Sequence, residues 1–104
     1  FVLPSNCENS PNSLGEAMLL GMPCVVSNAG GIPDMLTDER EGLIYGKSTD
    51  ADALSAAILR VLQSPDGGAA LGQAARARAL KTHDPRVNAL TLWKIYADIT
   101  GVCR

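Results

Sequence analysis

The sequence predicts an α/β fold: an open parallel sheet of about three strands, interleaved with helices and followed by C-terminal helices alone. Three observations predict it. Short, continuous apolar runs stand at residues 1–3, 24–27 and 42–45, the pattern of strands buried on both faces. Loop composition and helical spacing alternate between these runs. From Thr49 onward the apolar spacing is helical throughout.

Each element follows in order. Phe1-Val2-Leu3 is too short and too continuous for an amphipathic helix and reads as the first strand. It runs into Pro4-Ser5-Asn6-Cys7-Glu8-Asn9-Ser10-Pro11-Asn12, a loop by composition. Ser13 and Glu16 form a capping-box pattern that opens the first helix and puts Glu16 in its first turn. Leu14, Ala17, Met18 and Gly21 form its apolar stripe, and Gly21 with Pro23 beyond it ends the helix. The second strand leads into the Asn28-Ala29-Gly30-Gly31 loop and a short helical turn over residues 33–36, before the third strand. Thr49 or Asp50 then caps a helix whose Leu54, Ala57, Ile58, Val61 and Leu62 recur on one face. Ser64-Pro65-Asp66 caps the next helix, which runs to about Thr82. Asp84, with Pro85 at the first helical position, opens the last helix, where Leu92, Ile95, Tyr96 and Ile99 share a face.

The bulk properties narrow the function classes. At 104 residues the chain is one domain at most. Its 46% hydrophobic and 19% charged content is that of a globular protein. A net charge of −2 supplies no electrostatic basis for binding nucleic acid or an anionic membrane surface. Cys7, Cys24 and Cys103 are odd in number and lack C-x-x-C spacing. That argues against a disulfide framework or zinc site, for packing roles, and for a reducing, cytoplasmic compartment. No apolar run reaches transmembrane length. The chain starts without Met, inside a strand, and so reads as a piece of a longer protein.

Two acids dominate the functional reading. Glu8 lies in the loop after the first strand and Glu16 at the following helix start. In parallel sheets ligands bind in the crevice beyond the carboxyl ends of the strands. A helix start also turns free N–H groups toward that crevice, which suits a phosphate.

From Pro4 to about Tyr45 the chain resembles the retaining glycosyltransferases of the GT-B fold, the glycosyltransferase group 1 superfamily. The resemblance is carried by Pro4-Ser5, by Glu8 and Glu16 with seven residues between them, and by Glu16-Ala17-Met18. It continues through Gly21-Met22-Pro23-Cys24-Val25-Val26, Gly30-Gly31-Ile32-Pro33-Asp34 and Glu41-Gly42-Leu43-Ile44-Tyr45. It implies that residues 1–104 are the C-terminal half of a nucleotide-sugar-binding domain, half of a Rossmann-like doubly wound sheet. The partner substrate is then a nucleotide diphosphate sugar. Glu8 takes the role of the catalytic-site acid that contacts donor-sugar hydroxyls, and Glu16 that of the acceptor for ribose hydroxyls. Backbone amides of Asn12, Ser13 and Leu14 approach the diphosphate and sugar. The resemblance implies no metal and no cofactor, with the leaving phosphate assisting deprotonation of the acceptor. An acceptor-binding N-terminal domain in cis is implied as well. Asn9, Ser10 and Pro11 stand where the family commonly has glycine and an aromatic, and Pro11 has no N–H to donate.

Other signals are assigned bland roles. His83 reads as structural, at a helix junction remote from the strand ends. Asp50-Ala51-Asp52 reads as first-turn acids complementing the helix dipole, not a metal motif. Arg76, Arg78 and Lys81 read as a solvated basic face. Gly30-Gly31 is either a tight turn or a lining of the donor site. Two other functions stay open: a nucleotide-sugar epimerase of the same fold, and a non-catalytic doubly wound binding module. The exposed edge of the first strand is expected to support self-association of the isolated chain.

Overall fold

A computed structural model describes residues 1–9 and 11–101. Ser10, expected in the motif loop, and Cys103, expected to pack, lie outside the described residues. The elements run β1 (Val2–Leu3), α1 (Asn12–Leu19), β2 (Val25–Val26), α2 (Ile32–Met35), β3 (Leu43–Ile44), α3 (Ala51–Gln63), α4 (Ala69–Thr82) and α5 (Pro85–Thr100). The strands form one parallel sheet in the order β1-β2-β3. Val2 pairs with Val25 and Leu3 with Val26, while Val25 pairs with Leu43 and Val26 with Ile44. The α/β class and the parallel three-stranded sheet are therefore as the sequence predicts, with each strand two residues long.

Alternation along β2 builds two cores. Val26 turns into the larger one, with Leu14, Ala17 and Met18 of α1, Ile32 and Met35 of α2, and Ala75 and Ala79 of α4. Val25 turns to the other face, with Leu43 and Val61, against which Leu54, Ala57 and Ile58 of α3 pack. Leu62, expected on that stripe, is instead 71% exposed, while Val61 beside it packs on the sheet. α1 ends in paired backbone bonds, Gly21 N–H to Met18 O and Met22 N–H to Ala17 O, with Gly21 at φ +74. α4 then lies against this turn so closely that a Cβ on Gly72 would stand 2.0 Å from Gly21 O. Small residues, Gly72, Ala75 and Ala79, are what α4 buries.

In the second half α3 and α5 start at the predicted caps, while α4 has Gly68 at its N-cap. Asp50 accepts from Ala53 N–H at 3.0 Å, so its carboxylate is a cap. Asp66 accepts from Gly68 and Ala70 N–H, and Asp84 from Arg86 N–H at 2.9 Å. Of the basic cluster read as a solvated face, Lys81 is exposed, whereas both arginines are tied to the fold. Arg76 donates to Leu19 O at 2.6 Å, at the carboxyl end of α1. Arg78 is half-buried and donates to Glu41 Oε1 at 2.8 Å, Thr37 Oγ1 at 3.1 Å and Asp34 O at 2.7 Å.

The two sheet edges differ. Along β3, Ile44 N–H points outward and donates to Asp38 Oδ1 at 2.8 Å, so that edge is blunted by a carboxylate. Among the described residues no such cap covers β1. α5 is the other open element. Val87, Leu90, Leu92, Trp93, Ile95, Tyr96 and Ile99 are 45–75% exposed, so among the described residues the face expected on its apolar residues is largely open, while Ala97 is buried. The radius of gyration, 16.2 Å, exceeds the roughly 13 Å of a compact chain this long, as a projecting helix requires. Among the described residues no helix is long and apolar enough to cross a membrane.

Burial raises the Glu41 carboxyl, but hydrogen bonds from Thr37 N–H and Arg78 outweigh it and hold the pKa below the ordinary carboxylate value. Arg78→Ala is expected to cost about 1–3 kcal/mol at neutral pH, toward the low end because the pair keeps some solvent access. A carboxyl depressed by folding stabilises fully above its unfolded pKa and loses that contribution as pH falls through the folded value. The gap between wild-type and Arg78→Ala urea midpoints should therefore narrow across that window. A gap constant into acid would show that Arg78 acts through Asp34 and Thr37 alone.

Candidate functional site

β1 stops at Leu3 because Pro4 cannot donate to the sheet ladder, and the chain then crosses the carboxyl ends of the strands. Several neighbouring segments hold this crossing loop. Ser27, one residue beyond β2, is fully buried, and its hydroxyl donates to Ser5 O at 2.6 Å. Ser48, beyond β3, donates to Asn6 Oδ1. Ser5 Oγ donates to Glu8 Oε1 at 2.8 Å, and Glu8 is half-buried. Gly31 N–H, at the start of α2, donates to Glu8 O at 2.9 Å.

Backbone meets backbone where the glycine pair supports the loop. A Cβ at Gly30 would lie 1.5 Å from Glu8 O, and one at Gly31 would lie 1.6 Å from Asn9 O. Gly30 also has φ +49. Space for the Glu8 loop is thus the first requirement on this pair, and turn conformation the second.

The helix start differs from the capping box the sequence suggests. α1 begins at Asn12, its N-cap is Pro11, and no side chain caps it. The fixed φ of proline, here −67 with extended ψ, sets the entry of the chain into the helix, so Ser13 already lies inside it. Glu16 is consequently in the second turn, exposed, and its carboxylate is not spent on a cap. Gly15 N–H donates to Pro11 O. The N–H groups of Asn12, Ser13 and Leu14 precede this first intrahelical bond and have no acceptor within the helix. Asn12 and Ser13 are exposed, whereas the Leu14 side chain is in the core, so only its backbone is available to a ligand.

Two cavities flank the loop. One of about 260 Å³ opens over the strand ends, lined by Ser5, Asn6, Asn28, Lys47 and Ser48 among others. Another of about 340 Å³ is lined by Asn9, Gly31, Asp34, Met35, Thr82 and His83. His83 is therefore not remote. Its ring covers Gly15, where a Cβ would stand 2.6 Å from Cδ2, and its Nδ1 lies 2.7 Å from Thr82 Oγ1. The α4–α5 junction folds back onto the helix that carries Glu16, a long-range contact that no local pattern around His83 signals. Ser27 and Lys47 also escape sequence reasoning, although a serine closing an apolar strand at its carboxyl end is a usable signal for the first. Cys7, beside Glu8, is exposed, and Cys24 is buried with its thiol pKa raised by burial.

An acid in a hydrogen-bonded loop, a second on the following helix and amides without intrahelical acceptors between them thus lie together at the carboxyl end of a parallel sheet. The glycosyl transferases group 1 family matches residues 1–78, and the chain belongs to that family. It is 38% identical over 61 residues to the Escherichia coli UDP-Gal:alpha-D-GlcNAc-diphosphoundecaprenol alpha-1,3-galactosyltransferase, a match covering 59% of this chain and 16% of that protein. It is 37% identical over 65 residues to a GDP-mannose-dependent alpha-(1-6)-phosphatidylinositol monomannoside mannosyltransferase of Mycolicibacterium smegmatis, covering 62% of this chain and 17% of the other. Among solved structures it is similar to the sucrose-phosphate synthase of Thermosynechococcus elongatus, with a TM-score of 0.88 and 31% identity, over 96% of this chain and 25% of the synthase. The chain thus spans about a sixth to a quarter of these proteins, and the last match is wide enough to include most of α5.

Gly31→Ala must push the Asn9 carbonyl aside. In amide NMR spectra the resulting shifts should concentrate at residues 5–9 and 30–32, with the β2 and β3 signals little changed. Spectra unchanged at residues 8 and 9 would show that the Asn9 carbonyl does not stand against Gly31.

Proposed function

We propose that residues 1–104 are the C-terminal half of the donor-binding domain of a longer GT-B glycosyltransferase. It moves a sugar from a nucleotide diphosphate sugar to an acceptor with retention of configuration. The observation that carries this reading is the Glu8–Glu16 loop and helix of a group 1 family member, supported on Gly30 and Gly31 so that one acid is half-buried and the other stands free. Glu8 is assigned to donor-sugar hydroxyls at the catalytic centre. Glu16 is assigned to the ribose, and the amides of Asn12, Ser13 and Leu14 to the diphosphate. Phosphate at a helix start gains from both the free N–H groups and the dipole. The two relatives named above differ in nucleotide and sugar, so neither donor is transferred to this protein. The reaction is assigned without a metal, in the cytoplasm.

Glu16→Ala in the intact transferase should weaken UDP or GDP binding roughly ten- to a hundredfold, the scale of one charge-assisted hydrogen bond. Glu8→Ala should spare diphosphate affinity and lower turnover, because its contacts sharpen as the sugar develops positive charge. Calorimetric titration and donor consumption separate the two. Equal loss of diphosphate affinity in both variants would overturn the division of roles.

The N-terminal domain and the earlier strands of this domain are assigned to cover β1 and α5 in cis. Without them, the open β1 edge is a template for another strand, and α5 presents apolar residues to water. Light scattering of the 104-residue chain should show mass rising with concentration. A monomer at every concentration, with one cooperative thermal transition, would mean that these surfaces tolerate solvent.

A further inference from the structure

The hydrogen bonds around Glu8 form a directed chain that starts in the core. Ser27 is one of the few polar residues fully buried here. Its hydroxyl donates to Ser5 O at 2.6 Å, with Leu3 O a longer 3.4 Å away. Ser5 Oγ, so placed, donates to Glu8 Oε1 at 2.8 Å. Gly31 N–H holds Glu8 O from the other side at 2.9 Å. Main chain and side chain of Glu8 are therefore both constrained by groups anchored on β2 and α2. Among the described residues no donor reaches Glu8 Oε2.

We propose that Ser5, itself set by Ser27, is a positioning residue for Glu8: it fixes the carboxylate through Oε1 and turns Oε2 toward a donor-sugar hydroxyl. The inference rests on the reading that Glu8 meets the sugar. A carboxylate on a free side chain must lose rotamer freedom when it binds. Here that freedom is already spent before the ligand arrives, so the carboxylate meets a sugar hydroxyl in a fixed orientation. Ser27 acts one step further back. It keeps the Ser5 peptide over the end of β2, and its burial keeps water from taking its hydrogen bond.

The test uses the intact transferase with UDP- and GDP-linked galactose, glucose and mannose as donors, reading released nucleoside diphosphate, alongside titration with UDP and GDP alone. Ser5→Ala should lower donor turnover about tenfold, the scale of one hydrogen bond to a charged group, while diphosphate affinity stays within about twofold. Ser5→Thr keeps the hydroxyl and should restore most of the rate. In a Glu8→Gln background, Ser5→Ala should add little, since both act through one carboxylate. The 13C resonance of the Glu8 carboxyl should move in Ser5→Ala and in Ser27→Ala, and stay put in Ser5→Thr. If Glu8→Gln lowers turnover but Ser5→Ala does not, or if the two losses are additive, the positioning role is wrong while the assignment of Glu8 stands. If no donor is consumed, or Glu8→Gln is without effect, the assignment of Glu8 falls and this inference falls with it.

Discussion

The contact on which the rest of this structure depends is the approach of the Glu8–Asn9 peptide to Gly30 and Gly31. At 1.5 and 1.6 Å from where their Cβ atoms would be, the loop carbonyls occupy space that any other residue would fill. The strands are only two residues long, so ladder hydrogen bonds alone cannot hold a long loop above them. The loop is instead tied down by direct backbone packing and by serines placed at the strand ends. Ser27 and Ser48 reach it from the segments that follow β2 and β3. The result is a crossing loop over a thin sheet in which both the main chain and the side chain of Glu8 are hydrogen-bonded.

Much of this was legible in the sequence. The apolar runs are too short for helices, and their continuity marks strands covered on both faces, as Val25 and Val26 are. The caps at Asp50 and Asp84 are local chemistry and read correctly. The capping box at Ser13 did not form, because Pro11 fixes the chain direction two residues earlier and takes the N-cap position. The roles of Arg78 and His83 were illegible for a different reason. Both act across more than thirty residues of sequence, Arg78 on the segment before β3 and His83 on α1. Charge and helical spacing report which face a side chain lies on, not what stands opposite it. The glycine pair was visible as a turn, but its function as a floor for Glu8 needed the fold.

The distribution of apolar surface makes the same point at larger scale. α4 buries glycine and alanine against α1 and keeps its long side chains outside, tying α1 and the β3 approach through Arg76 and Arg78. α5 does the reverse, carrying Leu, Ile, Trp and Tyr where little of this chain touches them. A helix apolar on most of its circumference belongs in an interior, and the likeness to a synthase four times as long extends over most of that helix.

The pairing of α1 with α4 also sets an order of events on the ribosome. Leu14, Ala17 and Met18 leave the exit tunnel with β1, yet the helix that seals them is made later, with Arg76 synthesised 57 residues after the Leu19 carbonyl it binds. At about 5–20 residues per second this is a wait of about 3–11 s, long compared with helix formation or chain collapse. During that interval an apolar helix and two short strands are present without their cover. The arrival of α4 ends that exposure by covering the apolar face of α1.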